Sequence, residues 1–167
     1  PQDKIKAITV VGTNGKFSTI AGMFSILKES NINCNVFTSP HILKINERFI
    51  FNNEELKDDE LAELFEEVEK INDNQTITLF EILAACFFYK AAQYPDNINL
   101  IEAGLFHRFD ASNVLKENLA SVCCAISREI GAIITMVALF DKISVSKEVT
   151  KYIRIKTPII LKSGSNA

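Results

Sequence analysis

The feature that most constrains this chain is the stretch VVGTNGKFST, residues 10–19. It follows an apolar, β-branched run, KIKAITVV, and leads into a segment whose apolar residues Ile20, Met23, Phe24 and Leu27 recur at helical spacing. A strand, a glycine turn and a helix in that order make a phosphate cradle. Glycines let the backbone turn tightly and aim successive N–H groups inward. The helix N-terminus adds partial positive charge, and Lys16 adds a full one for β/γ-phosphate oxygens. Ser18 or Thr19 offers a hydroxyl for Mg²⁺. The spacing departs from G-x-x-x-x-G-K-[ST], because Phe17 separates the lysine from the first hydroxyl. The bland alternative is a plain helix-capping turn.

The rest of the chain alternates in the same way. The first helix is expected to run from Ser18 to about Ser30, followed by a short strand at CNVFT. SPHILKINERF, with its proline and mixed polarity, reads as a loop; ERFIF reads as a short strand closed by an Asn-Asn turn. LKDDELAELFEEVEKI is an amphipathic helix with Leu61, Leu64, Phe65, Val68 and Ile71 on one face and Asp58 or Asp59 as its cap. Its acidic residues, from Glu54 to Glu69, read as a solvated face. A helix from Leu79 to Gln93 is apolar nearly all round and hence buried, and Phe65, Phe80, Phe87 and Phe88 fit core packing. INLIEAG and LASVCCAIS are strands; TPIIL is expected as a last one, after a weak helix around Ser144 to Tyr152. Strands alternating with helices imply an α/β fold with a mostly parallel sheet flanked by helices.

Composition narrows the function. With 167 residues, 47% of them hydrophobic, one domain with its own core is the simplest organisation. A net charge of −3 implies no basic face, so nucleic acid is not an expected partner. The apolar runs are too short and interrupted to span a membrane, and PQDKIKAITVVG lacks the features of a secretory signal. Cys34, Cys86, Cys123 and Cys124 show no metal-ligand spacing and are expected as free, mostly buried thiols in a reducing cytoplasm.

Several motifs, in order, resemble one family. GTNGK followed by hydroxyls is similar to the ATP loop of Mur-type amide ligases, and in particular to GTNGKGS of the folylpolyglutamate synthase/dihydrofolate synthase branch. TSPHILKINERF resembles that branch's SPHL…ERI loop, TLFEILAACFF its T-x-F-E helix, IEAGLFHRFDASNV its EVGLGGRLDATNV segment, and ASVCCAIS the strand that follows. The resemblance implies a P-loop-type fold, here a truncated Mur ligase central domain. Residues 1–162 are expected to form a partial ATP-binding domain and 163–167 a polar tail, with the C-terminal glutamate-binding domain absent.

The family chemistry is ATP- and Mg²⁺-dependent addition of L-glutamate to a folate or dihydropteroate through an acyl phosphate. Carried over by position, Thr13, Asn14, Gly15, Lys16, Ser18 and Thr19 are expected at the ATP phosphates, with Lys16 the catalytic cation. Ser18, Ser39 and Glu102 match metal-site positions; Thr78, Glu81, Arg108, Asp110 and Asn113 match other motif positions. Their bland readings are a strand end for Glu102, a turn residue for Ser39, a helix first turn for Glu81, and a surface pair for Arg108 and Asp110; His41 also belongs to a family motif, with a loop histidine packed on its neighbours as the equal alternative. His107 replaces a family glycine, so the resemblance gives it no role.

The departures fall on chemistry. Phe17 and Phe106-His107 replace family glycines, Glu129-Ile130 stands where the family has Asp-His, and Glu148–Lys151 aligns with a segment that carries a modified lysine. The strand pattern is better kept. Such a distribution fits a relaxed catalytic constraint, a fragment redesigned for stability, or a new ligand. The reading carried forward is a degenerate or truncated ATP-binding portion with weak MgATP binding at most. Its rivals are a non-catalytic remnant or interaction module, and one half of a split ligase whose C-terminal half is a separate partner chain.

Overall fold

Both faces of KIKAITVV are apolar because the strand it forms lies in the middle of a sheet. The computed structural model describes residues 1–104, 110–116, 118–126 and 133–138. Seven strands, β1 (Lys6–Gly12), β2 (Cys34–Phe37), β3 (Phe49–Phe51), β4 (Glu54–Glu55), β5 (Ile98–Glu102), β6 (Ala120–Ile126) and β7 (Ile133–Ala138), form one sheet in the order β4-β3-β2-β5-β1-β6-β7. The pairings β2–β5, β5–β1 and β1–β6 are parallel. The outer pairings β2–β3, β3–β4 and β6–β7 are antiparallel.

Three α-helices among the described residues flank this sheet: α1 (Lys16–Glu29), α2 (Asp58–Asn72) and α3 (Leu79–Ala91). Ile20 and Leu27 of α1 pack with Val10, Val36, Leu100 and Val122. A separate core gathers Leu61, Leu64 and Val68 of α2 with Leu83, Phe87 and Phe88 of α3 and with Phe37, Phe49, Phe51 and Ile101 of the sheet. Rings interlock there: Phe37 stacks on Phe87 at 5.2 Å between centroids, and Phe51 on Phe87 at 5.6 Å. Aromatic pairs of this kind add stability beyond the area they bury. The phenylalanines at 87 and 88 are thus core residues, with 65 and 80 packed against that core.

Local departures from expectation have physical causes. α1 begins at Lys16, two residues early, because Gly15 takes the left-handed conformation (φ 78°) as its N-cap. The SPHILKINERF loop holds a short 3-10 turn over Ile45–Arg48, so β3 starts only at Phe49. The Asn-Asn turn is real: Asn52 and Asn53 both have positive φ, and β4 follows it. α2 is capped at Lys57 instead of Asp58 or Asp59; the Glu60 carboxylate accepts the Lys57 N–H at 2.9 Å. Ile71 is exposed, because it borders an open groove of about 370 Å³ between α2, α3 and the first residues. α3 ends at Ala91, and Leu79 in its first turn is exposed, so the helix is not buried all round. Cys34, Cys86 and Cys124 are buried, but Cys123 is exposed because it points opposite to Val122 and Cys124 along β6. β7 was not expected. TPIIL, the helix around 144–152 and the tail lie outside the described residues.

Candidate functional site

The parallel register sets the site. β1 and β5 lie side by side with Val10 opposite Glu102, so both chains leave the sheet at the same edge. In parallel sheets that C-terminal edge is where ligands bind. Gly12 ends β1 at φ 138°, pressed against β6: a Cβ there would lie 1.8 Å from the Cys124 carbonyl oxygen. Glycine is therefore required at this turn. Thr13 N–H bonds the same carbonyl at 3.1 Å, which locks the start of the loop to β6. Thr13 and Asn14 are exposed, and Gly15 opens α1 with no side-chain cap, leaving first-turn N–H groups for a ligand.

Lys16 turns back over the loop. Its Nζ donates to the Gly12 carbonyl at 3.2 Å and lies 3.7 Å from Glu102 Oε1. Glu102 is 3% exposed and accepts the Ser39 N–H at 3.0 Å through Oε2. Burial pushes the Glu102 carboxyl above its ordinary pKa; the Ser39 N–H, Lys16 and Arg48 pull it partly back. The structure thus brings together Lys16, Ser39 and Glu102. Ser18 is exposed at the start of α1, and its hydroxyl makes no hydrogen bond among the described residues. Thr19 is engaged differently: its hydroxyl donates to Gly15 O at 2.9 Å and contacts Cys124 Sγ at 3.1 Å. Phe17 is 61% exposed and belongs to neither core. Its ring finds no apolar cover among the described residues, so it stands at the loop without filling it.

The other expected residues are used elsewhere. Thr78 and Glu81 cap α3 reciprocally: Glu81 Oε2 accepts Thr78 N–H and Oγ–H at 2.7 Å, and Thr78 Oγ accepts Glu81 N–H at 3.3 Å. Asp110 is bonded to the glycine just past β5 and to its own turn. It accepts Gly104 N–H at 2.9 Å, Ser112 N–H at 2.9 Å and the Ser112 hydroxyl. A Cβ on Gly104 would meet Asp110 Oδ2 at 2.2 Å, so glycine is needed for this approach. Asn113 N–H bonds the Asp110 carbonyl at 2.9 Å. Arg108, Phe106, His107, Glu129, Ile130 and Glu148–Lys151 lie outside the described residues.

Sequence reasoning missed two groups. Glu47 accepts the N–H groups of Ile42, Leu43 and Lys44 at 2.8 to 2.9 Å, and so ties the 39–48 loop into one shape. Arg48 donates from Nε to His41 Nδ1 at 2.8 Å. Both belong to the ERF of SPHILKINERF, which was the available signal.

Among the described residues no cluster of three or more His, Cys, Asp or Glu side chains is present, so any metal here would rest on Glu102 and hydroxyl or ligand oxygens. Hard oxygen donors fit Mg²⁺ bound largely through a nucleotide's phosphates. The first-turn amides, Lys16 and the strand-end carboxylate fit that pair.

A glycine loop between a strand and a helix, with its lysine on a carboxylate at the next strand's end, defines a P-loop-type α/β domain. No family model matches the chain. The Bacillus subtilis dihydrofolate synthase/folylpolyglutamate synthase is 38% identical over 136 residues, covering 77% of this chain and 31% of that protein. The Thermotoga maritima folylpolyglutamate synthase structure superposes with a TM-score of 0.70 at 29% identity, over 78% of this chain and 32% of that one. A Yersinia pestis bifunctional folylpolyglutamate synthase/dihydrofolate synthase, complexed with AMPPNP and Mn, gives 0.68 at 28% identity, over 73% and 30%. The chain belongs to the folylpolyglutamate synthase/dihydrofolate synthase family and matches its N-terminal part. It spans about a third of the length of these relatives.

Proposed function

We propose that these 167 residues are the nucleotide-binding portion of a folate-type amide ligase, holding MgATP at the 13–19 loop and unable to complete amide formation alone. The observation that carries this reading is the Lys16 Nζ–Glu102 Oε1 contact of 3.7 Å, on a buried carboxylate beside the glycine loop. Lys16 and the first-turn amides hold and orient the terminal phosphates; Ser18, Ser39 and Glu102 face the cation. Bound MgATP supplies the electrophilic phosphoryl group for a carboxylate of a folate or dihydropteroate. The protein's part in such transfer is positioning and charge neutralisation. Residues 1–162 then form a partial ATP-binding domain, and L-glutamate is bound by residues beyond these 167. Thr78 and Glu81 serve by capping α3, Asp110 and Asn113 by shaping the turn bonded to the end of β5, and Arg108 serves at the segment after β5. The cytoplasm, where ATP and folates meet, is the compartment this reading assigns. No helix among the described residues is long and apolar enough to cross a membrane.

Calorimetric titration with MgATP tests the reading. Affinity tighter than about 1 mM, −4.1 kcal/mol, that disappears in Lys16→Ala is the expected result. No heat at millimolar nucleotide contradicts it, and so does glutamate ligation by this chain alone.

A second reading has an observation in its favour. Ile42 and Leu43 are 87% and 86% exposed at the tip of the Glu47-tied loop. Rigid, solvent-facing apolar side chains beside a site suit contact with another polypeptide, as in a split ligase or an interaction module. Ligase activity that appears only on mixing with a glutamate-binding chain supports the split form. An obligate oligomer without nucleotide response supports the module.

A further inference from the structure

One half-buried charge at this edge is left over from the cradle. Arg48 ends the 39–48 loop, where its carbonyl accepts Thr38 N–H at 3.1 Å and its Nε–H is tied to His41 at 2.8 Å. Its Nη1 is buried and has no hydrogen-bond partner among the described residues. The guanidinium acts electrostatically on Glu102, yet the only ion pair Glu102 makes among the described residues is with Lys16. A buried N–H without an acceptor is costly, so this geometry favours a bound acceptor. Charge says which kind. Among the described residues, Lys16 and Arg48 bring two positive charges to the one Glu102 carboxylate, which leaves these three groups one positive charge in excess. An orphan guanidinium N–H with excess positive charge selects an oxyanion, and a planar guanidinium holds one better than an ammonium.

We propose that Arg48 is a second anion-binding residue, holding through Nη1 the acidic group of the molecule presented to the nucleotide. That group is a carboxylate or its phosphorylated form. The anion site stands on Arg48's own geometry; only the identity of the acidic molecule rests on the nucleotide reading.

The test uses the full 167-residue chain, with and without saturating magnesium AMPPNP. Inorganic phosphate and acetate are titrated separately while NMR follows the Arg48 side-chain N–H resonances. At least one anion is expected to shift them saturably. Arg48→Met is expected to weaken that anion by about tenfold more than it weakens AMPPNP, and Arg48→Lys to recover only part of the loss. A response to acetate alone identifies a carboxylate; a response to phosphate identifies the phosphorylated form. Anion binding equally strong in Arg48→Met overturns the proposal. So does an absence of any shift at Arg48 in the unmutated chain, a readout that needs no variant to fold. If AMPPNP fails to bind while the Arg48-dependent anion response persists, the nucleotide reading falls and the Arg48 site stands.

Discussion

The two ends of the parallel sheet are built on opposite rules. At the end where β2 and β5 begin, Asn35, Asn97 and Asn99 are buried and bonded to one another. Asn35 Nδ2 donates to Asn99 Oδ1 at 2.9 Å, while its Oδ1 accepts Asn97 Nδ2 at 3.1 Å and Asn52 N–H at 2.9 Å. Asn99 Nδ2 closes the set on the Lys6 carbonyl at 3.0 Å. No side-chain N or O atom of this network is left buried without a partner. At the other end the groups are charged and, among the described residues, incompletely matched: Lys16 on a buried Glu102, an Arg48 Nη1 and a Ser18 hydroxyl without hydrogen-bond partners, and an exposed Phe17. A satisfied polar network fixes a structure, whereas unmet bonding capacity gathered in one place is what a ligand site requires.

Substitutions should therefore split by end. The largest expected stability loss is Asn35→Ala, which strands Asn99 Oδ1 and Asn52 N–H and leaves Asn97 Nδ2 only its 3.4 Å bond to Asn52 Oδ1. It should cost about 3 kcal/mol in urea unfolding and leave nucleotide titration unchanged. A change in nucleotide affinity of similar size would erase the contrast.

Glu102→Gln should do the reverse. Burial raises the folded-state pKa of Glu102, so the stability linked to it is full below the unfolded pKa and is lost as pH rises through the folded one. The glutamine variant should therefore gain on the wild type as pH rises from the unfolded pKa through the folded one, while losing nucleotide affinity. Unfolding curves across that range would show a flat difference if the carboxylate were not strained by burial.

Phe17→Gly sharpens the same point on a smaller scale. Nucleotide affinity should stay unchanged, while glycine near the start of α1 costs about 0.5–1 kcal/mol of stability. A rise of several-fold would mean that the exposed ring obstructs the cradle.

The smallest effect concerns the Glu47 loop. Three backbone N–H groups hold the Glu47 carboxyl below its ordinary pKa, so its contribution is present above the unfolded pKa and lost as pH falls through the folded one. Protection of the Ile42, Leu43 and Lys44 amides, measured against intrinsic exchange at each pH, should be full at neutral pH and fall as Glu47 is protonated. Glu47→Gln should lower that protection at neutral pH and match the wild type once Glu47 is protonated, with global stability hardly altered.

How much of this was legible follows from what each residue type encodes. The β1–loop–α1 unit was readable because apolar period, glycine and lysine all point one way. Glu102 was readable from its place at a strand end, and the Asn-Asn turn from its preference for positive φ. Thr78 and Glu81 fitted both a motif and a capping box, and only geometry showed the cap. Ile71 and Cys123 follow their elements' apolar periods, but periodicity cannot say which stretch of a face another element covers. β7 is a short apolar run without a distinguishing period. The asparagine network depends on contacts between residues far apart in the chain, and so does the placing of Arg48 near Glu102, which no local pattern encodes.

A crystal structure of the chain with magnesium AMPPNP is the most direct measurement. The account predicts terminal phosphates on the first-turn amides of α1, within hydrogen-bond reach of Lys16 Nζ, with the cation on the Glu102 side and Phe17 turned away. A nucleotide seated elsewhere, or a cradle empty at saturating concentration, would contradict it.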